Sequence, residues 1–166
     1  MGTGQMLLTI GAIVTLGGVI LNVNRKINNT GAILLHSNMG IEEISLASSI
    51  IEEAQGLAFD EVTDTGAVVS TSELTPASAL GQENNDPNDL NDFDDFNGLN
   101  NKGRLEIDTL STGICYVFTR VHYVNLNDVN VESTSQTWNK RLDVWVWNSS
   151  STDTVKMQTV FSYWPF

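Results

Sequence analysis

The sequence predicts an α+β fold: a long N-terminal α-helix, apolar in its first half and amphipathic in its second, packed against a C-terminal antiparallel β-sheet of three or four strands. Three observations carry this. Residues 6–21 are sixteen consecutive positions without a charge and with nothing more polar than Thr9 and Thr15. Between Gly40 and Asp60, Ile44, Ala47, Ile51, Ala54 and Ala58 recur at three- and four-residue steps, the spacing of one helix face. Beyond residue 104 the period shortens to two, with β-branched and aromatic residues alternating against polar ones.

The apolar run is organising because a helix hydrophobic all round must be buried in a bilayer, in a large core or against copies of itself. With the uncharged residues on either side it reaches the roughly 20 residues that a bilayer span needs. A secretory signal peptide fits less well, since no Lys or Arg precedes the run and no small-residue cleavage site follows it. Arg25 and Lys26 close the run. Gly17-Gly18 is its weak point, at about 1 kcal/mol per glycine relative to alanine, and a bend is expected there.

Residues 1–25 thus form a membrane or filament-core helix, and residues 26–60 its amphipathic continuation. In the latter, Ile50 and Leu57 flank the apolar stripe, while Glu42, Glu43, Glu52 and Glu53 are expected on the opposite side. Residues 61–104 change character: Gly66, Pro76, Gly81, Pro87, Gly98 and Gly103 punctuate a long polar loop. One short strand is expected at residues 67–70. Residues 105–166 form the sheet head, with strands expected at 114–124, 140–147 and 154–164 joined by polar turns.

Charge narrows the function. Eight basic residues against twenty acidic ones give a net charge of −12. No basic patch exists to neutralise phosphates, which argues against nucleic acid as a specific ligand. The single cysteine, Cys115, excludes an intrachain disulfide and reads as a small buried hydrophobe. His36 and His122 have no nucleophile pattern beside them, so the chain is not expected to be an enzyme. Trp138, Trp145, Trp147 and Trp164 read as core or interface aromatics, with sugar stacking as the alternative. The acidic segment is the one candidate ligand site: Asp86, Asp89, Asp92, Asp94 and Asp95 put five carboxylates in ten residues. Ca²⁺ takes six to eight such oxygens from a flexible loop, although no Glu closes an EF-hand. The other readings are a solvated acidic loop, or neutralisation by the nearby Lys102 and Arg104.

An apolar N-terminal helix, a loop and a closing antiparallel sheet together resemble a type IV pilin. Ser49-Ile-Ile-Glu-Glu-Ala-Gln-Gly-Leu-Ala-Phe-Asp-Glu looks like the end of the long helix in bacterial pilin-like proteins. Phe93-Asp-Asp-Phe-Asn-Gly resembles the Asp-Asp turn of minor pilins of the mannose-sensitive haemagglutinin type. Leu142-Asp-Val-Trp-Val-Trp, followed by residues 155–164, resembles the closing hairpin of pilins and pseudopilins.

The resemblance implies a structural subunit held in the cytoplasmic membrane by its helix before assembly. It would then polymerise into an extracellular, cell-surface fimbrial homopolymer of the kind used in adhesion. Assembly residues would be Met1, Gln5, Met6, Leu7, Leu8, Ile10, Ile13, Val14, Leu16, Gly17, Gly18, Ile20 and Leu21. Processed pilins begin with a methylated hydrophobic residue and carry Glu at the fifth position; here these positions hold Met1 and the amide Gln5. A very short leader ending at Gly4 is the alternative, and Arg25-Lys26 as the sole flanking charge favours the first reading. The proline often found in the family's apolar run is absent. Two other functions stay open: a pseudopilin of a secretion system, and a membrane-anchored β-domain that binds Ca²⁺ or carbohydrate.

Overall fold

A computed structural model describes residues 2–83, 90–98, 108–110, 113–151 and 153–164. The chain divides into two compact units, Met1–Asn38 and Met39–Phe166. Helix α1, Thr3–Gln55, supplies the described part of the first unit and opens the second. It continues without interruption through Gly17-Gly18, so the helix does not unwind there. Helix propagation is cooperative, and the flanking Leu, Val and Ile turns outweigh the cost of two glycines.

In the second unit, α1 is followed by the short helix α2, Glu61–Thr65, and by 3-10 turns at Thr71–Glu73 and Asp94–Phe96. Five strands complete it: β1 Asp108–Leu110, β2 Gly113–Asn125, β3 Asp128–Glu132, β4 Asn139–Asn148 and β5 Thr154–Ser162. The sheet is antiparallel in the order β1-β2-β4-β5, and β3 pairs with the far end of β2. In the central ladder Cys115 faces Asn148 and Tyr123 faces Lys140.

This is the α+β layout the sequence predicts, and the three long strands fall within two residues of their expected limits. Three local expectations differ. Residues 67–70 form no strand: Val68 is buried, but its N–H donates to the Tyr163 hydroxyl instead of a neighbouring strand. The link between β2 and β4 carries β3, a hairpin arm turning at Leu126-Asn127. The buried stripe of α1 runs through Met39, Glu43, Ala47 and Ala54, so Glu43 faces inward while Ile44 is exposed.

Alternation explains the core. Cys115, Val117, Thr119, Val121 and Tyr123 of β2 face the same side as Lys140, Leu142, Val144, Val146 and Asn148 of β4, and all are buried. Val155, Met157 and Phe161 of β5 join them. Ala47 and Ala54 of α1 close over this face, their small side chains allowing close approach of helix to sheet. A second cluster of Phe59, Val68, Leu74 and Tyr123 packs beside it with Trp138 and Tyr163.

Candidate functional site

Two regions stand out from ordinary packing: the apolar stretch of α1, and the acidic turn in the head.

Around α1, Met6, Leu7, Leu8, Ile10, Ile13, Val14, Leu16, Ile20 and Leu21 each expose more than half of their surface. The helix is long and apolar enough to cross a membrane. Within residues 6–21 the two hydroxyls are turned back on the helix: that of Thr9 donates to the Gln5 and Met6 carbonyls, and that of Thr15 to Gly11 and Ala12. This satisfies hydroxyls that would otherwise be costly in a dry environment. Gln5 lies in the first turn, where its N–H donates to the Gly2 carbonyl at 3.0 Å. Gly11, Gly17 and Gly18 have open space where a Cβ would stand. Met1 lies outside the described residues.

The acidic turn is built differently from a solvated loop. Asp92, Asp94 and Asp95 are buried to within 1 %. Asp92 Oδ1 accepts the N–H groups of Asp94 (2.7 Å) and Asp95 (3.1 Å), while Asp95 Oδ2 accepts those of Asn91 (2.9 Å) and Asp92 (3.2 Å). The two carboxylates therefore fold the segment on itself by capping one another's backbone. Asn97 fastens it to the sheet: its side-chain amide donates to the Leu80 carbonyl and its Oδ1 accepts from Val121 N–H at 3.0 Å. Gly98 N–H donates to the Thr119 carbonyl, and the Thr119 hydroxyl donates to Phe96 O. Phe93 and Phe96 become core residues.

Neutralising charge comes from a residue that sequence proximity did not suggest. Lys140 of β4 is fully buried, and its ammonium donates to Asp94 Oδ1, to Asp60 Oδ2 at 2.8 Å and to the Phe59 carbonyl at 2.7 Å. The Phe59 ring lies 4.6 Å from the ammonium, close enough for a cation–π contact. Asp60 is a hub. It caps α2, accepts from the backbone and hydroxyl of Thr75, and lies 3.4 Å from the Tyr123 hydroxyl, which itself donates to Thr75 O. The signal for Lys140 was in the sequence: it shares parity with Leu142, Val144 and Val146, so its strand aims a charge into the core. Lys102, Arg104, Asp86 and Asp89 lie outside the described residues. Among the described residues no group of three or more His, Cys, Asp or Glu side chains is arranged to hold a metal ion.

Burial raises the Asp92 pKa to about 8, reinforced by Asp94 and Asp95 and opposed by Lys140. Asp94 is also raised by burial, against the pull of Lys140. A carboxyl whose pKa is higher folded than unfolded stabilises the fold below its unfolded value and loses that contribution as pH rises through the folded one. The contribution of Asp92 to the melting temperature of the head should therefore fall between about pH 4 and about pH 8. Asp92→Asn, which keeps Oδ1 as an acceptor, should flatten that decline; an equally steep profile in the variant would contradict the assignment to Asp92.

On the opposite face of the sheet, Tyr116 stacks on Trp147 (5.7 Å between centroids) and Phe118 packs on Trp145 (5.2 Å). Trp138 stacks on Tyr163, and Trp164 is exposed. His122 lies on this outer face, held below its ordinary pKa by burial and the Arg141 guanidinium against the pull of Asp143. His36 lies within α1 and is not beside it in sequence.

The chain matches no family model, no curated protein and no solved structure.

Proposed function

We propose that this protein is a structural subunit of a type IV pilus-like filament, anchored in the cytoplasmic membrane by the first half of α1 and polymerising through it at the cell surface. The carrying observation is the contrast between the two units. The Met39–Phe166 unit has its own apolar core, whereas the apolar side chains of residues 6–21 are exposed around the helix. Transferring each large aliphatic side chain out of water is worth roughly 1.5–3 kcal/mol. A lipid bilayer or a bundle of like helices satisfies that demand, and moving from one to the other is the essence of filament growth from a membrane. The long helix with an antiparallel sheet is compatible with the pilin layout. A pseudopilin, which forms only a short fibre in the periplasm, shares these features.

Electron microscopy of material sheared from cells producing the chain separates the two. Long fibres carrying the chain, recognised by an antibody against the head, are expected. Fibres found only beneath the outer surface would favour the pseudopilin, and a chain found solely as membrane-held monomer would remove both.

A further inference from the structure

We propose that Lys140 and Asp94 become joined by an intramolecular amide bond, a covalent cross-link between strand β4 and the acidic turn, with Asp60 carrying the protons. The placement is that of a condensation site. The Lys140 amine contacts the Asp94 carboxyl directly, both side chains are sealed from solvent, and a second carboxylate touches the same nitrogen at 2.8 Å. The rings of Phe59 and Tyr123 lie 4.6 Å and 5.5 Å from that nitrogen. Holding two reacting groups in contact replaces an encounter in solution by a unimolecular step, and a dry pocket disfavours the reverse hydrolysis.

The two carboxylates are not equivalent. Asp60 is fixed by Thr75 N–H, the Thr75 hydroxyl and Val62 N–H, so it is anchored as a proton acceptor. Asp94 Oδ1 meets Lys140, while its Oδ2 faces Gly81 N–H at 3.5 Å, a donor placed to hold the oxygen that remains. The ammonium passes a proton to Asp60, and the freed lone pair attacks Asp94 Cγ. The N–C bond forms and the Cγ–Oδ1 bond breaks. Of the three ammonium protons, one stays on the amide nitrogen and two leave with Oδ1 as water, one of them relayed by Asp60, which ends as the carboxylate it began. The sum is an ammonium and a carboxylate giving an amide and one water, with no oxidant or co-reactant. The link would tie the loop to the centre of the sheet by a bond that survives mechanical load and denaturant, unlike an ion pair.

The test is the intact mass of the full chain, extracted in detergent and then denatured. The expected mass is lower than that of the sequence by one water, with a branched peptide joining Lys140 to Asp94 after proteolysis. Lys140→Arg, which keeps the charge but lacks the amine, should restore the full mass. Asp60→Asn should lower the cross-linked fraction, and a fraction unchanged in that variant would overturn the proton-carrying role. A branched peptide ending at Asp60 would overturn the choice of Asp94. The full sequence mass, with the Lys140 amine open to acetylation once denatured, would mean an ion pair only and overturn the proposal.

Discussion

Replacing Lys140 with alanine is expected to destabilise the head by at least about 3–5 kcal/mol, the usual cost of breaking a buried ion pair by removing one partner, and by more where the amide to Asp94 has formed. In the head without the cross-link, Asp60 and Asp94 would keep their burial and lose their cation, and three hydrogen bonds, including that to the Phe59 carbonyl, would go together. A melting temperature lower by roughly 10–20 °C follows for a domain of this size. Near-ultraviolet circular dichroism reads it directly, because the Phe59 and Tyr123 rings lie beside the ammonium and Trp138 and Tyr163 pack against the same cluster. Removing the whole charge set, with Lys140→Met, Asp60→Asn and Asp94→Asn together, should recover part of the loss. A single alanine variant that melts within a degree or two of the parent would refute a structural role for this cluster.

The second large effect concerns assembly. Introducing a carboxylate at Ile13 or Val14, both 68 % exposed in the middle of the apolar run, should abolish fibre formation. A charge at the centre of a bilayer costs about 2.5–3.5 kcal/mol on insertion scales. In a polymer that cost recurs at every subunit. Val131→Asp adds the same charge at a 60 % exposed position in β3 and should leave assembly unchanged. Fibre yield measured by sedimentation separates the two, and equal yields from Ile13→Asp and Val131→Asp would contradict a role for the apolar half of α1.

The sequence was most legible where one side of an element is buried. The limits of β2 follow from its run of β-branched and aromatic residues, and those of β4 and β5 from apolar residues alternating at a period of two. β3 has no such face. Its five residues are almost all exposed, so nothing in its composition separates it from a turn. The reverse holds at Val68 and Val69, one buried and one 79 % exposed, where strand-like alternation arises from a single side chain docking under Tyr163. Glu43 was misplaced because helical spacing gives a face but not its exact rotation, and small residues such as Ala47 mark the contact better than the larger Ile44. The sequence marks the acidic turn as a charge problem, but a cation that answers it lies 46 residues from Asp94 along the chain, at Lys140. Sequence proximity points to Lys102 and Arg104, which lie outside the described residues. Only the pairing of β4 with β2, which sets Lys140 opposite Tyr123 on the inner face, brings the cation to Asp60 and Asp94.

The central claim, that residues 1–25 carry self-assembly while the head folds without them, is tested most directly by comparing the full chain with one starting at residue 26. Electron microscopy and analytical ultracentrifugation of both, under the conditions in which the full chain polymerises, give the answer. Fibres are expected from the full chain and a soluble, folded monomer from the shortened one. Native fibres formed by the shortened chain would contradict it.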